Sequence, residues 1–297
     1  MSNGKQTKRP ALGARILAAL LAVVLVPCLW GVTASLLGLQ GMTSTGLHTR
    51  VALAPDAVGR QMERIQGDLD VLAEERGLDR QDLEGLVTQE AVEEFDRQIV
   101  AWWTGALATG KMEEEPTFTV DGLMERIQED EAFLATVDPL LLRRTVEDIQ
   151  GEISGSVRKS AVLFRDLLVQ AGVRLVSDRV DLPQMVALLG KVPVITGLAS
   201  LALAGMIALL LSRRIQAAGQ YIGGAISACG LLSCLALGLI KGMNIRGMIR
   251  EASLALEAQY AHLARIMTME VMAVVVLAFL VGGGLMILAW RDKRKHG

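Results

Sequence analysis

The stretch with the most chemical promise is Gly105-Ala106-Leu107-Ala108-Thr109-Gly110-Lys111. Its glycines and lysine have the spacing of a loop that wraps phosphate groups in backbone N–H donors. Met112 then stands where a Ser or Thr hydroxyl must hold magnesium, and the run follows helix-forming sequence, not a strand. It reads as a glycine helix stop followed by a charged linker. Arg80 to Ala91 places Asp82, Glu84 and Gly85 at the third, fifth and sixth positions of a calcium loop. Its first and twelfth positions are Arg80 and Ala91, where carboxylates are required. The clusters Glu113-Glu114-Glu115 and Glu129-Asp130-Glu131 read as solvated helix faces and linkers. Of the three histidines, His48, His262 and His296, none has a second ligand at helical spacing, and His48 and His262 are expected at the surface. There is no Gly-x-Ser-x-Gly elbow. The expectation is therefore no catalytic residue, no cofactor and no metal.

What remains is chemistry of contact. Small residues four apart lie on one helical face and let two backbones approach closely. Four such pairs occur: Gly31 and Ser35, Ala34 and Gly38, Gly219 and Gly223, Ala278 and Gly282. Gly224 adds a third glycine beside the third pair. These pairs are the candidate sites, and the surface they meet is another helix of this chain, of a second copy or of a different membrane protein.

All four pairs lie in long apolar windows, which are the elements that must position them. The chain has 297 residues, 52% apolar and 21% charged, with mean hydropathy +0.40. Charge is nearly absent from Ile16 to Leu39, Val192 to Leu211, Ala217 to Ile240 and Val271 to Trp290. Each window reaches the ~20 residues that cross a hydrocarbon core. With their boundaries the spans are 16–39, 191–211, 217–240 and 270–290. A single soluble domain and a disordered chain are excluded. No Asp, Glu, Lys, Arg or His lies in the interior of a span, whereas ion-coupled transport usually needs intramembrane ionisable groups.

Charge sets the expected orientation. The tail 1–15 carries +4, the turn 212–216 carries +2 and the tail 291–297 carries +3. Short cationic segments stay in the cytoplasm, so both termini are expected inside. Residues 40–190 then lie outside, with 28 acidic and 15 basic residues. That surface excludes nucleic acid as a partner. Residues 241–269 would also lie outside with a net +2, a mild departure from the charge rule. The first span reads as an anchor: its 24 apolar residues exceed the ~7–15 of a signal-peptide core. Cys28, Cys229 and Cys234 all fall within spans, so the outer region stands without disulfides, which fits a bacterial plasma membrane.

The outer region has helical periodicity. Gly41 to Ala54 reads as a polar link. Val58, Met62, Ile65, Leu69 and Leu72 then form a heptad row ending at Gly77. A short helix is expected after Asp79, and a third helix carries Val92, Phe95, Ile99 and Trp102 on one face. Pro116-Thr117-Phe118-Thr119-Val120 has strand-like chemistry. A helix with Met124, Ile127 and Leu134 inward follows. A long helix from Leu140 to Val180 carries a second row from Val146 through Ile149, Ile153 and Val157 to Leu175, with a kink expected at Gly151 to Gly155. Pro183 marks a break before the second span.

The fold expected is all-α: a four-span helical membrane protein with a large helical extracytoplasmic domain, a bundle or coiled stalk, between spans 1 and 2. The function expected is non-enzymatic. The acidic ectodomain binds, senses or scaffolds a membrane or envelope protein, or a second copy of the chain. The alternative is a subunit of a channel or transport complex capped by the ectodomain. A membrane-embedded enzyme ranks last, for want of candidate catalytic groups.

Overall fold

A computed structural model describes residues 12–111, 113–129, 131–135, 142–161, 182–212, 215–242 and 254–295. Among these residues the regular elements are helices, with no strand. In chain order they are α1 (Leu12–Thr43), α2 (Thr45–Ala52), α3 (Pro55–Arg76), α4 (Arg80–Leu83), α5 (Gln89–Thr109), α6 (Leu123–Glu129), α7 (Glu131–Leu134), α8 (Leu142–Ser160), α9 (Leu182–Leu210), α10 (Ile215–Gly242) and α11 (Leu254–Lys295).

Four helices are long and apolar enough to cross a membrane, over Leu12–Thr43, Gln184–Leu210, Gln216–Lys241 and Glu257–Arg291. Only 11% to 28% of each apolar window is buried within the protein. The rest presents Leu, Val and Ile outward, and a helix apolar all round in this way suits lipid. The expected span limits 16–39, 217–240 and 270–290 fall inside these longer helices, and 191–211 runs one residue past the end at Leu210. Pro183 sits in the first turn of α9, where a missing N–H costs little. The segment expected as a short outer helical loop, 241–269, is helical from Leu254 onward, where it opens α11.

The chain divides into two compact units. The first comprises Met1–Gly41, Val186–Met243 and Arg265–Gly297, and so holds the apolar bodies of α1, α9, α10 and α11. Its core includes Ala18 and Leu25 of α1, Ile207 of α9 and Ala218 and Ala225 of α10. The second comprises Met42–Met185 and Asn244–Ala264.

In the second unit the apolar rows turn inward. Ile65, Leu69 and Leu72 of α3 meet Val92, Phe95 and Ile99 of α5, Ile127 of α6 and Val146, Ile149, Ile153 and Val157 of α8. Burying each Ile or Leu side chain contributes roughly 1.5–3 kcal/mol. Helix limits follow from local chemistry. The Thr88 hydroxyl caps α5 by accepting from the Ala91 N–H at 3.2 Å. Gly77 and Gly110 end α3 and α5 in the left-handed region, at φ +70° and +68°, which favours glycine.

Two expectations change. The polar link at Gly41 to Ala54 contains a helix, α2. Ser44 caps it by accepting from Leu47 N–H at 3.2 Å, and Leu47 and Val51, four apart, are buried. Pro116 to Val120 belongs to no helix and has no partner strand among the described residues. Side chains of α8 take the carbonyls a ladder would have used: Ser154 Oγ donates to Phe118 O at 2.5 Å and Gln150 Nε2 to Val120 O at 3.0 Å. Phe118 meets Phe95 edge-on, with ring centroids 5.6 Å apart. The helix α8 continues through Gly151 and Gly155. The rest of that row, to Leu175, lies outside the described residues.

Candidate functional site

In the first unit, α10 and α11 pack through small residues. A Cβ added at Gly223 would stand 2.6 Å from the Gly282 carbonyl oxygen, 3.1 Å from Leu285 Cβ and 3.2 Å from Met286 Cγ. One added at Gly282 would stand 2.6 Å from the Gly223 carbonyl oxygen and would strike the Ser227 hydroxyl. At Gly219 the neighbours relax to Leu285 O at 3.6 Å and Ala289 Cβ at 3.7 Å. Backbone thus faces backbone at Gly223 and Gly282, within one chain. Gly230 joins this face, where an added Cβ would meet Ala278 Cβ at 3.2 Å. Ser227 and Gly230 are the residues that pairwise reading missed. Extending the row Gly219, Gly223, Ser227, Gly230 by steps of four, four and three would have found them.

The N-terminal pairs behave differently. A Cβ at Gly31 would meet Thr196 Cγ2 of α9 at 3.2 Å, so this glycine faces a neighbouring helix. Ser35 is buried and turns its hydroxyl back on α1, donating to Gly31 O at 2.6 Å. Gly38, the partner of Ala34, has nothing within 4 Å of an added Cβ. An apolar cavity of about 150 Å³ lies between α1, α10 and α11, lined by Val32, Thr33, Cys229, Ser233 and Ala278.

The second unit carries a groove of about 720 Å³ between α3 and α8. Its floor includes Leu72 and Ile153, and the glycine face of α8 at Gly151 and Gly155 opens into it. Its walls carry Asp68, Glu75, Glu147, Asp148 and Glu152 against Arg76 and Lys159. Ser156 Oγ donates to Asp68 Oδ2 at 2.5 Å, and Arg76 pairs with Glu152, which fixes the two helices across the groove. Val71 lines it while 55% exposed.

A polar cluster lies buried where α3, α5 and α8 meet. Gln61 and Asp96 are 1% and 3% exposed. Gln61 Nε2 donates to Asp96 Oδ1 at 3.1 Å and to Ser160 Oγ at 3.2 Å, and Ser160 Oγ donates to Val157 O at 2.6 Å. Burial pushes the Asp96 carboxyl up to about 7 from 3.8; the Gln61 hydrogen bond opposes this and the nearby Glu93 charge adds to it. Sequence reading passed over both residues. A Gln on an apolar row and an Asp beside Phe95 look like exposed positions until three helices close over them.

The remaining sequence candidates resolve as local structure. Gly105 lies inside α5 and Gly110 is its C-cap, so the glycine–lysine run is a helix end. Arg80 opens α4 and pairs with Asp70. Glu115 is held by Arg158, with Nε to Oε1 at 2.7 Å. His48, expected at the surface, is buried on α2, its Nε2 lying 3.2 Å from the Met42 carbonyl oxygen. No group of three or more His, Cys, Asp or Glu able to hold a metal occurs among the described residues. Compared with family models, curated proteins and solved structures, the chain has no significant match.

Proposed function

We propose that this chain is a four-span plasma-membrane protein, bacterial on the ground of its cysteine-free outer region, whose acidic helical ectodomain binds a partner. The role is contact and not catalysis. The observation that carries this reading is the groove between α3 and α8: about 720 Å³, open, apolar at its floor and lined by five carboxylates against two cations. A groove of that shape and charge suits a cationic amphipathic helix, whose apolar face would settle against Leu72 and Ile153 while its Lys and Arg meet the acidic walls. The open face of Gly151 and Gly155 would let a helix come close to α8. The occupant we commit to is such a helical segment of another membrane or envelope protein.

The test is photo-cross-linking of the full-length chain in cells. A photoreactive residue is placed at Gly151, inside the groove, and in a second chain at Gln98, exposed on α5. Support is a cross-link formed from Gly151 alone, mapped by mass spectrometry to a basic helical segment and lost in Asp148→Lys. Identical products from both positions, no product, or indifference to Asp148→Lys would defeat the reading. A cross-link to a second copy of this chain would make the groove a self-association surface. Ion conductance in liposomes holding the purified chain alone would support the alternative, a pore subunit capped by the ectodomain.

A further inference from the structure

The junction of α3, α5 and α8 contains an imbalance of donors and acceptors. Asp96 Oδ2 and Gln61 Oε1 are both buried, and neither has a hydrogen-bond partner among the described residues. Both are acceptors, so no rearrangement between them alone can satisfy either. They belong to two groups already joined through Gln61 Nε2 and Asp96 Oδ1 at 3.1 Å. One added hydrogen would serve both atoms. A carboxylic acid and a carboxamide pair reciprocally, the amide N–H donating to one acid oxygen and the acid O–H donating to the amide oxygen.

Among the described residues nothing else balances a carboxylate here. Asp96 takes part in no ion pair among the described residues. On its own helix the nearby charge is Glu93, which is negative and itself meets Arg97 at 3.5 Å. From α3 the facing group is Gln61 and from α8 it is Ser160, both neutral; Arg60 and Arg64 of α3 and Lys159 of α8 are exposed. From α2, which packs on α5, the groups are His48, held at the Met42 carbonyl, and Arg50, which is exposed and donates to Gly46 O at 3.2 Å. An ionised, unpaired carboxylate in such a place is costly, and a buried acid commonly takes up a proton instead.

We propose that Asp96 and Gln61 form a proton-binding site, closed as an acid–amide pair that fastens α5 to α3 when occupied and weakens that junction when the proton leaves. The proton comes from and returns to solvent, and no other group changes its charge. The upward displacement of the Asp96 carboxyl to about 7 places the exchange in the neutral range. Ser160, the third member, closes α8, so loosening the cluster frees the end of the helix that borders the α3–α8 groove. The site stands on its own geometry and does not depend on what occupies the groove.

The direct measurement is infrared spectroscopy of the full-length protein in detergent, following the C=O stretch of a protonated carboxyl as pH is raised. In the wild type a band should fade with a midpoint near pH 7. It should be roughly nine-tenths present one unit below that midpoint and one-tenth present one unit above. Asp96→Asn should abolish it. Glu93→Gln removes the neighbouring negative charge and should move the midpoint to lower pH, an effect that a merely structural Asp96 would not show. Gln61→Leu removes the amide and should change the frequency of the band. A fading band that survives Asp96→Asn, or a midpoint in the ordinary carboxylate range, would overturn the proposal. If Asp96→Asn does not fold, the Glu93→Gln shift decides: an unmoved midpoint refutes.

Discussion

Gly223 and Gly224 are neighbours on α10 with opposite surroundings, and this allows a sharp test of the packing between α10 and α11. A Cβ at Gly223 would sit 2.6 Å from the Gly282 carbonyl oxygen. Ordinary C–H···O contacts run at about 3.3–3.6 Å, so the overlap is about 0.7 Å, and the obstacle is backbone that cannot rotate away. Two further contacts, at 3.1 and 3.2 Å to Leu285 and Met286, are also tight. Forcing extra atoms into a packed interface costs about 1–3 kcal/mol. Replacing glycine by alanine in a helix returns up to about 1 kcal/mol. Gly223→Ala should therefore lose about 1 kcal/mol net, and Gly223→Leu distinctly more. At Gly224 nothing lies within 4 Å of an added Cβ, so Gly224→Ala keeps the helix gain without the clash. The two alanine variants should differ by about 2 kcal/mol, a roughly thirtyfold difference in the folding equilibrium. The assay is unfolding of the purified protein in mixed detergent, followed by circular dichroism, with gel filtration alongside. Because the contact lies within one chain, Gly223→Leu should lower the folded yield without reducing the particle size. Equal stability of Gly223→Ala and Gly224→Ala would refute the reasoning, and a smaller but fully folded Gly223→Leu particle would move the contact to a second copy.

Other outcomes follow from the same structure. In cells expressing a chain whose three native cysteines are replaced by alanine, a cysteine at Thr109 should react with an impermeant thiol reagent, and cysteines at Ser2 and His296 should not; labelling at His296 would break the four-span topology. Ile149→Ala should destabilise the second unit by about 2–5 kcal/mol, because Ile149 is fully buried, whereas Val71→Ala, at an exposed position, should stay within about 0.5 kcal/mol; limited proteolysis of the full-length protein separates the two. Asp96 gives stability a pH dependence of defined sign. Its carboxyl is raised from 3.8 to about 7 on folding, so the native state holds the proton more tightly, and its contribution is full below about 4 and lost as pH rises to about 7. The whole change is about 4 kcal/mol, and thermal melts of wild type against Asp96→Asn across that range should show the wild-type slope vanish in the variant.

The apolar windows were legible in the sequence because crossing a bilayer needs only length and composition, both of which are one-dimensional. The helical rows Ile65, Leu69, Leu72 and Ile149, Ile153, Val157 were legible for a related reason: a helix writes its buried face into the spacing of its residues. The caps at Thr88, Gly77 and Gly110 likewise answer to local backbone geometry alone. Tertiary structure decided what spacing cannot encode. The sequence marked Gly223 and Gly282 as small, but only the packing of α10 on α11 brings one glycine's carbonyl against the other's Cα. It also leaves Gly38, equally small and equally spaced, with open room. Phe118 and its neighbours have the composition of a strand, and the fold instead gives their carbonyls to Ser154 and Gln150, more than thirty residues away in the case of Ser154. Asp96 is the plainest instance. An aspartate on a helix is ordinary and charged, and it becomes a candidate proton site only because α3, α5 and α8, distant in sequence, exclude water from it together.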